Sequence, residues 1–161
     1  MRKLLIGVHD KNCSLRAVSY VMRHYAEVRD VEVTLIHVIP DLPAMYWDDG
    51  HILSPAEAAE RGRVIDTWTG KQRDYIEPIL QGAVRELVGQ GFPAARVRMK
   101  IVLASGGGDI ADCLLEEAAA GGCKTIVVGR CGIADGKHFL VGSVVSRLIH
   151  KAANIAVCVV Q

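Results

Sequence analysis

No apolar run in this chain approaches the ~20 consecutive residues that a membrane-spanning helix needs. The opening stretch MRKLLIGVHD places only about five apolar residues before a charge, too few for the core of a secretory signal. Both absences lead us to expect a cytoplasmic protein. Charge of one sign is lacking too: 19 Lys and Arg against 18 Asp and Glu leave a formal net charge of +1. No global field therefore draws the chain to nucleic acid or to an acidic membrane. Aromatics are scarce, at 5%, and none cluster with basic residues as a nucleic-acid surface would require. The five cysteines contain no C-x-x-C pair and are odd in number, which argues against a disulfide framework and for reduced thiols.

What remains is a globular composition. Half of the 161 residues are hydrophobic and 23% are charged, enough for one domain with a substantial core. Short apolar runs, KLLIGV (Lys3 to Val8), VEVTLIHV (Val31 to Val38), TIVVG and IAVCVV, read as buried strands. VRMKIVLA alternates at Val97, Met99 and Ile101, as an edge strand does. Between them lie helical patterns. Ser14 is expected to cap the first, whose apolar face is Val18, Val21, Met22 and Tyr25. The stretch from Pro40 to Leu53 reads as a loop. SPAE then announces a helix with Ser54 at the cap, Pro55 at the first position and Glu57 at the third. That helix continues to about Gln90, and Gly62, Gly70 and Pro78 predict a break or kink within it. Asp109 is placed to cap the next helix, which Gly121-Gly122 ends, and the last helix begins at Ser143. Cys158, inside the final strand, reads as a small core residue.

Strands alternating with helices, with no hairpin signal, predict a parallel sheet in an open α/β sandwich. Ligands of such sheets bind beyond the C-terminal strand ends, where strand order reverses. The stretch VVGRCGIADGKHFLVGSVVSRLIHKAA occupies such a place, leaving a strand at Gly129 and entering a helix at Gly142-Ser143. Backbone N–H groups of Ser143, Val144 and Val145 would face an anion there. A plain strand-to-helix turn capped by Ser143 explains the same residues, and both readings are open at this point. The loop is not a Walker loop: Gly136-Lys137 precedes His138, and Cys131 stands where that motif needs Gly. Nor is it a dinucleotide fingerprint, since VHDKNCS after the first strand contains no glycine.

The spacing G-x2-G-x9-G-[S/T], carried by Gly129, Gly132, Gly142 and Ser143, resembles the nucleotide-binding signature of the universal stress protein family. KLLIGVHDKNCSLRAVSYV, LIHVI, GGGDIADCLLEEA and TIVVG extend the likeness over the chain, apart from a variable stretch at 40–75. The resemblance implies a Rossmann-like single-domain fold with strand order 3-2-1-4-5. It also implies ATP or AMP as ligand, Mg2+ accompanying ATP, and a homodimer in which strand five pairs antiparallel with its copy. Carried over, Gly129, Arg130 and Gly132 would border ribose and phosphate, while Gly142, Ser143 and Val144 would hold phosphates. Val38 would meet adenine through its backbone, with Val8, His9 and Asp10 close by at the exit of the first strand. One position departs from the pattern: His9 stands where the family has Asp, and Asp10 follows. Histidine is the side chain whose charge changes within the physiological range, so affinity for an anionic ligand is expected to rise as pH falls.

Two other functions fit parts of the chain. SGGGDI, from Ser105 through Asp109 to Ile110, resembles the S-G-G-x-D-S loop of ATP pyrophosphatases, which adenylate substrates. It follows the third strand rather than the first, and ends in Ile rather than Ser or Thr. A dimeric interaction protein that no longer binds nucleotide, through the His9 change, is the other. His9, His37 and Cys13 raise the question of zinc, but no C-x2-C or H-x3-H spacing supports a closed site. No Ser-His-Asp or paired-carboxylate pattern argues for hydrolysis, so a sensor or regulator with at most slow ATP turnover or autophosphorylation is the expectation.

Overall fold

The computed structural model describes residues 1–9, 12–28, 30–40, 53–104, 109–130 and 142–161, with Asn12 and Cys13 as backbone only. Five strands form one sheet: β1 (Arg2–Gly7), β2 (Val31–Ile39), β3 (Val97–Leu103), β4 (Thr125–Gly129) and β5 (Ala156–Val160). All pairings are parallel, in the order β3-β2-β1-β4-β5. Four helices alternate with them: α1 (Asn12–Tyr25), α2 (Pro55–Gly89), α3 (Ile110–Gly121) and α4 (Ser143–Lys151).

Period-two alternation along the central strands feeds two cores, one on each face of the sheet. Leu4 and Ile6 of β1 join Val33 and Leu35 of β2 against Val18 and Val21 of α1 and Ile76, Leu80 and Leu87 of α2. Leu5, Ile36, Ile126 and Val128 join Leu114 and Ala118 of α3 and Val145 and Leu148 of α4 on the other face. Because both faces are covered, β1 and β2 read as continuous apolar runs instead of alternating ones. β3 is an edge strand as its pattern predicts, yet only Val97 is buried there, and Met99 lies exposed.

Three local expectations are corrected. α2 is one helix through Gly62, Gly70 and Pro78, so the expected break is absent. Its N-terminus is fixed by a capping box between Ser54 and Glu57. On its C-terminal half Ile76, Leu80, Ala83 and Leu87 are buried, anchoring the helix on both sides of Pro78. That burial offsets the hydrogen bond the proline cannot donate. Ser14 does not cap α1, which already begins at Asn12; its hydroxyl instead donates to the His9 carbonyl and ties the helix to the exit of β1. Cys158 is only half-buried, because β5 is the sheet edge and its strand is covered less than β1 or β4. The Asp109 cap is present, accepting from the Ala111 N–H at 2.8 Å, and Gly122 closes α3 in the left-handed conformation that glycine adopts without strain.

Candidate functional site

In this strand order the connection after β1 runs to β2 on one side, while the connection after β4 runs to β5 on the other. The crevice beyond the C-terminal ends of β1 and β4 is thus the switch point of the sheet. A cavity of about 310 Å³ lies there. Its floor comes from Gly7 and Val8 of the β1 exit, Ile36, His37 and Val38 of β2, and Val128 and Gly129 of β4. Its walls come from His9 and Ser14, from Ile110 and Leu114 of α3, and from Gly142, Ser143, Val144 and Val145 at the start of α4. Gly7 lets the floor pack closely: a Cβ there would sit 3.1 Å from the Val128 side chain.

α4 delivers the polar end of the cavity. Gly142 is its cap residue and offers no side-chain hydrogen bond, so the turn is made by backbone alone. The first bond within the helix runs from the Ser146 N–H to the Gly142 carbonyl at 2.9 Å. The N–H groups of Ser143, Val144 and Val145 thus have no partner inside the helix and carry the positive end of its dipole. Leu148, fully buried one turn on, fixes this helix against the sheet.

The rim at α3 is set by charge. Burial alone would raise the Asp109 carboxyl, but the Ala111 N–H and the Arg147 guanidinium, 2.7 Å away, outweigh it and hold the group below the usual carboxylate range. The pair links the N-terminus of α3 to α4 across the cavity mouth. A depressed carboxylate contributes its stability above its unfolded value near ~3.9, and that stability is lost as pH falls through the lower folded value. Asp109→Asn keeps a capping side chain and removes the charge. It is expected to cost less than about 1 kcal/mol at pH 7 and to flatten part of the stability loss below pH ~4. Denaturant melts of both proteins at pH 7 and pH 3 check this; parallel losses would show that the pair is energetically silent.

Of the residues singled out in the sequence, Val8, His9, Val38, Gly129, Gly142, Ser143 and Val144 are brought together around one cavity. Arg130 is not among its lining residues; its N–H donates to the Val160 carbonyl at 2.6 Å and closes the end of β4 onto β5. Asp10, Gly132, Cys131, Lys137, His138, Ser105 and most of the 40–53 loop lie outside the described residues. His37, weighed in the sequence only as a possible zinc ligand, also lines the cavity. A polar ring near the end of an otherwise apolar buried strand was the signal available for it. Among the described residues no group of three His, Cys, Asp or Glu side chains is placed to hold a metal ion. Burial pushes the thiols of Cys113 and Cys123 up, which makes neither a ready nucleophile.

The sequence matches the universal stress protein family, over residues 1–161. The chain belongs to that family. No curated protein sequence matches it significantly. Among solved structures, the hypothetical protein MJ0577, studied for structure-based assignment of biochemical function, is 23% identical with a TM-score of 0.74, covering 99% of this chain and 94% of that one. A universal stress protein in complex with cAMP is 19% identical with a TM-score of 0.63, covering 99% and 96%. The universal stress protein from Archaeoglobus fulgidus in complex with dAMP is 20% identical with a TM-score of 0.55, covering 100% and 98%. These likenesses establish a shared fold, that of the universal stress proteins. Among the described residues no helix is long and apolar enough to cross a membrane.

Proposed function

We propose that this universal stress protein binds an adenine nucleotide, ATP or AMP, in the cavity at the β1 and β4 exits, and acts as a cytoplasmic stress sensor or regulator. One observation carries the reading: the N-terminus of α4 presents backbone N–H groups to a cavity at the switch point, behind a glycine that adds no side chain. The complexes of similar proteins with cAMP and dAMP support an adenine nucleotide as the ligand class. Val38 would meet the base at the floor, while Gly129, Gly142, Ser143 and Val144 would surround ribose and phosphates. The described lining holds no carboxylate, so Mg2+ arriving with ATP would be held by its phosphates rather than by these side chains. Mass spectrometry of the supernatant from denatured, freshly purified protein is expected to show an adenine nucleotide. A preparation without one that also ignores added ATP would favour an interaction protein without a ligand.

The adenylating alternative is less well supported. Its loop follows β3, an edge strand, and Asp109 is engaged by the Ala111 N–H and Arg147. Ser105→Ala is expected to leave nucleotide binding unchanged, with no pyrophosphate released from ATP by either protein. Pyrophosphate that disappears in the variant would reverse this choice.

β5 is a short, uncharged edge, and a strand of that kind is commonly protected by pairing with a second copy. We infer a homodimer through it. Val159→Lys is expected to shift the protein to monomer in light scattering; a wild type that stays monomeric at high concentration would remove this interface.

A further inference from the structure

His9 and His37 are the only ionisable side chains among the described residues that line the cavity. Their ring centroids are 6.0 Å apart, with planes tilted by 54°. Nδ1 of His37 lies 2.8 Å from the Val8 carbonyl oxygen. A carbonyl oxygen only accepts, so Nδ1 carries a proton in this bond and Nε2 is the atom that gains or loses the second one. The bond therefore survives in both charge states and holds the ring in place while its charge changes. The main chain at His9 is held from the other side, since its carbonyl accepts the Ser14 hydroxyl.

Among the described lining residues, these two rings carry the cavity's side-chain charge. Ser14 from α1, Ile110 and Leu114 from α3, Val128 and Gly129 from β4, and Ser143 through Val145 from α4 contribute no titratable group. Ile101 is the β3 neighbour of His37. Among the described residues outside the lining, Asp109 at the start of α3 pairs with Arg147 of α4 at 2.7 Å, and Arg130 follows β4. Asp10 and Lys11, next to His9 in the chain, and residues 131–141 lie outside the described residues.

Resting on the nucleotide reading above, we propose that His9 and His37 form a paired-imidazole anion recognition element, so that capture of a phosphorylated ligand is coupled to proton uptake by the pair. Two protonated rings 6.0 Å apart repel each other. A phosphate held at the α4 N-terminus, on the wall of the same cavity, attracts the protonated rings and raises the proton affinity of both. By linkage, the ligand binds more tightly where the rings are protonated. For each imidazole whose affinity for its proton rises by about one unit, ligand affinity gains roughly fivefold between pH 8 and pH 6. The cavity would thus discriminate nucleotides from nucleosides more sharply under mildly acidic conditions.

The test is calorimetric titration of ATP and of adenosine at pH 8 and pH 6 into the wild type, His9→Gln and His37→Asn. Asn retains an N–H donor for the Val8 carbonyl, and the exposed His9 tolerates Gln, so the variants are chosen to preserve the fold. The titration of the ATP phosphates is common to all three proteins and cancels in the comparison. The wild type is expected to gain at least about fivefold more in ATP affinity on acidification than either variant, with no such gain for adenosine. Proton uptake, measured from binding heats in two buffers of different ionisation enthalpy, should fall in His9→Gln relative to wild type. ATP binding with matching pH profiles in wild type and variants would overturn the imidazole pair and leave the nucleotide reading intact. No ATP binding to any of them at either pH would instead overturn the nucleotide reading, and this proposal with it.

Discussion

Gly142→Val is expected to abolish the stabilisation that ATP confers. A ligand that binds only the native state stabilises it by about 2.7 kcal/mol at a hundredfold excess over Kd. For a domain of this size that corresponds to a rise in Tm of roughly 5–10 °C. A valine at the α4 cap sets two methyl groups at the mouth of the N–H cluster formed by Ser143, Val144 and Val145, where a phosphate would sit. The backbone itself tolerates the change, since Gly142 has φ −56° and ψ 153°, an extended conformation open to any residue. Loss of fold is thus a minor effect: the cap is backbone-only already, and valine there costs about 1 kcal/mol or less. Gly142→Ser separates the two contributions, because serine caps the helix and should leave the unliganded protein at least as stable while still crowding the ligand. Differential scanning fluorimetry with and without ATP reads both. A Gly142→Val protein that keeps the full shift would make the glycine a turn residue and nothing more.

Leu148→Ala is expected to cost 2–5 kcal/mol, the range for a fully buried leucine. The side chain is the inward anchor of α4 in the core that also holds Leu5, Ile126 and Leu114. Against a total stability of ~5–15 kcal/mol, such a loss lowers Tm by roughly 5–20 °C. The site should suffer as well, since Gly142 and the N–H groups after it are positioned by this helix. Leu148→Met, nearly conserving volume, should cost less than about 1.5 kcal/mol and keep the ATP response. Urea denaturation gives both values. A cost below about 1 kcal/mol for Leu148→Ala would show that α4 is not held by this contact.

Much of this architecture was legible because the physics is local. KLLIGV and TIVVG announce strands covered on both faces, and SPAE and Asp109 announce helix starts that the structure contains. Strand order is different: alternation of strand and helix permits several orders, and 3-2-1-4-5 followed only from resemblance to the family. The errors fall where tertiary packing outweighs local preference. Pro78 lies inside α2 because Ile76 and Leu80 are buried on either side of it, and no local rule reports that burial. Ser14 was mistaken for a cap because its role is a bond back to His9, five residues earlier. At the cavity, glycine spacing located Gly129 and Gly142, both of which line it. Apolar lining such as Ile110 and Leu114 carries no chemical signature; His37 and His9 were noticed together in the sequence, and the structure adds that their rings stand 6.0 Å apart on one cavity.

The central claim is that the cavity between β1, β4 and α4 takes an adenine nucleotide. Equilibrium dialysis of labelled ATP against nucleotide-stripped protein tests it most directly. Saturable binding of one ATP per chain, displaced by AMP and lost in Gly142→Val, is the predicted result. Equal ATP on both sides of the membrane at every protein concentration, or binding that Gly142→Val leaves untouched, would contradict it.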